Sequence, residues 1–302
     1  MQTYLGTWQL SPSDGFWTNQ DPACGEDVLS AAIRLGVTCF DTAQSYGKGR
    51  TEQVLGKILR RFPDRKFVVD TKIMPSSKRA TDVLKPSLNS LYGLNIDCLY
   101  LHWPSSIFDC VDYLHQMSEV KESRLCRKVG VCNLPLETLS EYVSSGVRID
   151  RIQRPVSLLW SRELSDTLSF CRQHSIEVAA YSPTDMGLLS GKYREASDLP
   201  DARSDLFCFD NRCIGAFQDL LSVLGAVAGS HGCSYTAVAL AWVRHMNPDI
   251  LILGARDTDQ LRQNLESDVR LTDSEISDLD LASHKLDKAS QGVCENIFSY
   301  KW

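Results

Sequence analysis

No two of the eleven cysteines in this chain are separated by the two residues that a zinc knuckle or a thiol-exchange motif requires. Cys208 and Cys213, the nearest pair, have no histidine beside them, and His231-Gly232-Cys233 stands alone. Neither a metal site nor a disulfide framework is expected, and the thiols read as free. Long apolar runs are missing too: none nears the roughly 18 residues of a membrane span, and no basic, apolar leader precedes Trp8. Free thiols without a leader point to a cytoplasmic protein with no membrane partner. Positive charge is scarce, with 32 Lys and Arg against 38 Asp and Glu and a net charge of −6. The clusters at Arg60-Arg61 with Arg65-Lys66 and from Arg124 to Lys128 read as solvated helix ends, so no nucleic acid is expected as a partner. A phosphate-binding glycine pattern is also absent. Gly47-Lys48-Gly49 lacks the third glycine of a dinucleotide fingerprint, and neither it nor Ser190-Gly191-Lys192-Tyr193 has the Ser or Thr of a phosphate loop.

What remains is an ordinary globular composition, 43% hydrophobic and 23% charged over 302 residues. Short apolar runs alternate with helical spacing along the chain. The strand candidates are Leu5 to Trp8, Val37 to Phe40, Phe67 to Val69, Cys98 to Leu101, Lys128 to Val131, Ile149 to Ile152, Glu177 to Ala180 and Ile250 to Leu253. Helical spacing falls between them, at Glu26 to Leu35, Thr51 to Arg61, Ala80 to Leu91, Cys110 to Lys121, Leu136 to Val143, Leu164 to Gln173, Ala216 to Ala228 and Thr236 to His245. Eight strands alternating with helices imply parallel pairing and closure into a (β/α)8 TIM barrel, with residues 1–302 as a single domain. Three stretches are too long for simple connections: Gln9 to Cys24, about Gly187 to Ile214, and the tail after Leu286. At the carboxyl face of a barrel such loops form substrate walls.

Chemistry gathers at the ends of three consecutive strands. Asp41 and Tyr46 follow the second strand, Lys72 the third and His102 the fourth. Singly, Asp41 reads as a cap, Lys72 as a solvated lysine and His102 as a satisfied core imidazole; together at one barrel face they form a cluster. A tyrosine is a poor acid at neutral pH, but an adjacent ammonium favours its phenolate, so Lys72 is expected to lower the Tyr46 pKa while Asp41 holds Lys72. His102 would orient a carbonyl oxygen beside the phenol. After the eighth strand, Gly254 and Arg256 through Leu265 read as a helix start whose free N–H groups and guanidinium converge on an anion. An ordinary surface arginine is the alternative there.

The chain resembles the aldo-keto reductase family. The likeness is carried by Phe40-Asp41-Thr42-Ala43-Gln44-Ser45-Tyr46-Gly47, Thr71-Lys72 and Tyr100-Leu101-His102-Trp103-Pro104. It continues through Val129 to Asn133, Ala180-Tyr181-Ser182-Pro183, Gly187 to Tyr193, and Gly254-Ala255-Arg256 with Gln260 and Asn264. The resemblance implies a barrel enzyme using NADPH to reduce a small-molecule carbonyl substrate, with Tyr46 as proton donor supported by Asp41, Lys72 and His102. It implies a cofactor site of Gly6, Thr7, Trp8, Asp41, Cys132, Asn133, Gln153, Tyr181, Ser182, Gly254, Arg256, Gln260 and Asn264, in which Asn133 and Gln153 hold the nicotinamide carboxamide and Tyr181 stacks on its ring. The anion at Arg256 would be the adenosine 2′-phosphate. Cys132 stands where the family usually has serine, and a thiol is the weaker donor. Phe16, Trp17, Trp103, Tyr193, Phe207, Phe209, Tyr300 and Trp302 are candidates for an aromatic substrate cleft, with Arg212 a candidate receptor for an acidic group. Two other readings stay open: a cofactor-binding redox sensor with little turnover, and a lyase forming a Schiff base on Lys72.

Overall fold

Strand after strand, alternate residues face opposite ways, and this two-residue period separates the barrel lumen from the ring of helices. In the computed structural model, which describes residues 1–10, 16–17 and 20–294, the strands are β1 (Gln2–Gly6), β2 (Cys39–Asp41), β3 (Val68–Ile73), β4 (Ile96–Leu101), β5 (Cys126–Cys132), β6 (Arg151–Pro155), β7 (Glu177–Tyr181) and β8 (Ile250–Leu253). All pair in parallel, in sequence order, and β1 pairs with β8 to close the barrel. Leu5, Phe40, Val69, Leu99, Val131, Ile152, Val178 and Leu251 face outward into one large apolar core shared with the helices. Tyr4, Cys39, Ala179, Ile250 and Ile252 form a separate lumen cluster, and Cys98, Tyr100 and Cys132 another.

Tyr100 fits inside the barrel because residue 130 on the neighbouring strand is glycine: a Cβ there would lie 2.5 Å from the tyrosine ring. The same layer carries charge. Arg151 is 2% exposed and binds Asp70 at 2.7 Å, Asp97 at 3.1 Å and Glu177 at 2.7 Å, joining β3, β4 and β7 to β6.

The helices are α1 (Pro22–Arg34), α2 (Arg50–Leu59), α3 (Ala80–Ser90), α4 (Cys110–Glu122), α5 (Leu136–Ser144), α6 (Leu164–Gln173), α7 (Ile214–His231), α8 (Tyr235–His245), α9 (Thr258–Glu266) and α10 (Asp273–Ala289). Asp21, with Pro22 at the first helical position, starts α1, and Asp109 caps α4 through the amides of Val111 and Asp112. The strand expected to run to Trp8 stops at Gly6, and Trp8 opens a 3-10 turn. The expected loop after residue 187 is a chain of short 3-10 turns. Buried Arg203 pins it by pairing with Asp201 at 2.7 Å and donating to the Met186 carbonyl at 2.9 Å. The tail begins later than expected, since α10 runs to Ala289. Tyr300 and Trp302 lie outside the described residues. Among the described residues no single helix is long and apolar enough to cross a membrane.

Candidate active site

At the carboxyl ends of the strands the lumen carries a second polar group, above the layer of Arg151, Asp70 and Tyr100. Asp41 ends β2, Lys72 is the penultimate residue of β3, His102 follows β4, and Gln153 lies in β6. Tyr46 comes from the turn after β2, where Gly47, Lys48 and Gly49 all take positive φ. Such a left-handed run suits glycine, and it turns the chain sharply from Tyr46 into α2.

Lys72 is 1% exposed, and its Nζ reaches three acceptors: Asp41 Oδ1 at 2.7 Å, the Thr42 carbonyl at 2.8 Å and the Tyr46 hydroxyl oxygen at 3.1 Å. An ammonium has three protons and no lone pair, so in each contact Lys72 donates. The Tyr46 oxygen therefore accepts from Lys72, and its own proton points away from the lysine. Asp41 uses its second oxygen to accept from Gln153 Nε2 at 2.7 Å. His102 stands edge-on to Tyr46, with ring centroids 5.7 Å apart, and its Nδ1 lies 3.3 Å from the Ser45 hydroxyl.

The electrostatics correct one expectation. Lys72 does pull the Tyr46 pKa down, but burial outweighs it, and the phenol is pushed up to about 12. Tyr46 thus holds its proton throughout the neutral range. Lys72 stays an ammonium: burial opposes the charge, but Asp41 and Tyr46 raise its pKa above the usual value. His102 is held well below the usual histidine range by burial and by the Lys72 charge, so its ring is neutral. A neutral imidazole offers one N–H donor, the right group to steer a carbonyl oxygen.

Around this centre lie the other expected residues. Asn133, at φ 60°, donates to the His102 carbonyl at 2.9 Å and accepts from the Tyr181 hydroxyl at 2.6 Å. Cys132 packs inward against Cys98 and Tyr100, and burial keeps its thiol protonated. Thr7 donates its hydroxyl to the Asp41 carbonyl at 2.9 Å. A Cβ at Gly6 would lie 3.0 Å from Ile252, so only glycine fits comfortably there. Ser182 takes φ 51° and accepts from the Asp185 amide at 2.9 Å. Beyond β8, Asn264 donates to the Gly254 carbonyl at 2.9 Å and Gln260 accepts from the Arg256 amide at 3.1 Å. The helix expected to open at Arg256 begins at Thr258.

The aromatic candidates divide. Trp8 packs against Phe16, Trp17 and Tyr46 at 5.3, 5.5 and 6.3 Å, and Trp103 lies 6.2 Å from His102, making a wall beside the phenol. Tyr193 and Trp17 carry the Arg203 guanidinium over their rings, at 5.2 and 5.1 Å. Phe207 packs on Trp160 and Phe209 on Phe217, in the core. Arg212 is exposed, pairs with Asp210 at 3.2 Å and donates to the Gly292 carbonyl.

Sequence reasoning overlooked Ser45 and the Thr42 carbonyl, although both lie inside the motif that names Asp41 and Tyr46. It also overlooked Gln9, which bridges the Gly6 and Ala255 carbonyls, and Gln20, which accepts from Arg256 Nε at 3.0 Å. Both sit in the long loop after β1, where periodicity carries no signal. The same holds for Arg203 in the loop after β7.

Comparison with known proteins agrees with the closed eight-stranded barrel. The aldo/keto reductase family model matches residues 4–283. An NADH-specific methylglyoxal reductase of Escherichia coli is 26% identical over 301 residues, covering 90% of this chain and 91% of its own. The glycerol dehydrogenase of Gluconobacter oxydans superposes with a TM-score of 0.76 at 23% identity, covering 99% of this chain and 94% of its own. An aldo/keto reductase from Klebsiella pneumoniae, solved with NADP and acetate, gives 0.69 at 24% identity, with 92% and 90% covered. With residues 4–283 matched by the family model, the chain belongs to the aldo/keto reductase family.

Proposed function

We propose that the chain reduces an aldehyde or ketone to an alcohol, with residues 1–302 acting as one unit. The observation that carries this reading is the geometry at Lys72: it donates to Asp41, to the Thr42 carbonyl and to the Tyr46 oxygen, so the phenol's own proton is left for another acceptor. A carbonyl oxygen seated between that O–H and His102 would gain a proton as negative charge develops on it. Asp41 and Gln153 fix the lysine, and neutral His102 orients the oxygen without competing for the proton. The wall of Trp8, Phe16 and Trp103 excludes water from one side of this point and suits an apolar or planar substituent on the carbonyl carbon.

The residues at the mouth also fit a nicotinamide. The amides of Asn133 and Gln153 are the donors and acceptors a carboxamide needs, and the Tyr181 ring is set beside them by its hydroxyl bond to Asn133. When bound, a reduced dinucleotide supplies the hydride. The expectation that it is NADPH rests on Arg256. The family does not decide the point, since the named relatives include one called NADH-specific and one solved with NADP.

The test is oxidation of both reduced dinucleotides over short-chain aldehydes, aromatic aldehydes, sugars and diketones. Steady turnover is expected with at least one class, and Tyr46→Phe is expected to lower kcat by about 10²- to 10⁴-fold while dinucleotide binding persists. Undiminished turnover in that variant would remove Tyr46 as the donor. Stoichiometric binding without turnover over the whole panel would favour the sensor reading.

A further inference from the structure

The segment between β8 and α9 is the one part of the cofactor cleft whose physics departs from expectation. Free amides and a guanidinium were to converge there on an anion. Instead the chain supplies its own anion: the Asp257 carboxylate caps α9, accepting from the Gln260 amide at 2.8 Å. The Arg256 amide is also engaged, donating to Gln260 Oε1 at 3.1 Å. The guanidinium is drawn sideways, its Nε bonded to Gln20 Oε1 at 3.0 Å and its plane 5.7 Å from the Trp17 ring. A second carboxylate, Asp259, lies in the first turn of α9. Two acids thus follow the arginine within three residues. Beneath that arginine Trp17 is 5% exposed, its ring covered by the guanidinium.

A phosphate monoester brings a charge of roughly −1.5 to −2 at neutral pH, and beside the Asp257 carboxylate it meets repulsion that one sideways-held guanidinium does not cancel. A ribose hydroxyl in the same place is neutral and donates a hydrogen bond to a carboxylate, the usual means of recognising a nucleotide without the 2′-phosphate. We propose that Asp257 sets the coenzyme choice of this chain, admitting the free 2′-hydroxyl and disfavouring the 2′-phosphate, so that NADH is the preferred reductant.

This inference rests on the reductase reading, and the experiment separates the two. Kd for NADH and NADPH is measured by quenching of tryptophan fluorescence, and kcat/KM for each with the best aldehyde, in the wild type and in Asp257→Ser and Asp257→Asn. Both replacements keep an N-cap side chain and lose the charge, so thermal melting should be little changed. The wild type is expected to bind NADH at least tenfold more tightly than NADPH, and both variants to narrow that ratio by tenfold or more, chiefly through tighter NADPH. Raising the salt concentration should narrow it in the wild type but not in the variants. A wild type that binds NADPH as tightly as NADH, or variants with an unchanged ratio, would overturn the role of Asp257. A preference for NADH in binding without turnover of any carbonyl would sustain Asp257 and remove the reductase reading. Turnover that favours NADPH would do the reverse.

Discussion

At Tyr46 two large effects oppose each other, and only the folded chain says which wins. Order and spacing in the sequence were enough to name Asp41, Tyr46, Lys72 and His102, because each follows a strand that points it into one lumen. They were not enough to give the sign of the Tyr46 shift, since burial depends on loops from distant parts of the chain. The same competition acts on Asp185, which the sequence did not single out. It is 2% exposed, bonded to the Ser157 hydroxyl, and burial pushes its carboxyl up to about 7 from 3.8. A raised carboxyl holds its proton in the folded state after the unfolded chain has lost it. Stability linked to Asp185 is therefore complete below about pH 4, falls as pH rises toward 7, and is then level. Buried Asp70, its carboxyl also pushed up to about 7 by burial, adds to the same decline, so urea unfolding from pH 4 to 8 should fall less steeply in Asp185→Asn than in the wild type; parallel curves would mean that Asp185 is ionised throughout.

Among the elements, strands were read best. Each of the eight was located, with ends displaced by a few residues, because a lumen-and-core wall needs continuous apolar runs that few other structures share. The helix that went unread, α10, carries a capping box of Thr272 and Glu275 and an apolar stripe at Ile276, Leu279, Ala282 and Leu286. Its signal was present but fell after the eighth strand, where the repeating pattern no longer demanded a helix. The long loops resisted reading for a different reason: Arg203 is buried there as if it were apolar, and composition alone places arginine outside. Close approach between elements was equally hidden. A Cβ on Gly56 of α2 would meet the Ser90 carbonyl, where α3 ends, at 2.4 Å. Alanine is the better helix former by roughly 1 kcal/mol, yet Gly56→Ala is expected to destabilise by about 1–3 kcal/mol. A melting temperature equal to or above that of the wild type would show that α2 and α3 separate freely.

For the molecule as a whole, the lumen below the active site is filled by side chains of the strands. Arg151 ties three carboxylates from three other strands across the barrel, and Tyr100 and Cys98 fill the space beside them. Removing one partner of a buried ion network leaves the others unpaired, so Arg151→Ala is expected to cost about 3–5 kcal/mol in urea unfolding; a loss under about 1 kcal/mol would show the floor to be incidental. The pattern of eight strands foretold the barrel, but not this plug, because Asp70, Asp97, Arg151 and Glu177 are scattered over more than a hundred positions and look like surface charges one at a time. The pairing of β1 with β8 bears on how the chain is made. Gln2–Leu5 leaves the ribosome well before its partner Ile250–Leu253, with six other strands made between them. Throughout synthesis β1 or its neighbours must present an open edge of backbone donors and acceptors, the kind of surface that invites pairing with another chain. Crowded synthesis is thus the moment of greatest hazard for this protein, and it passes when the eighth strand arrives.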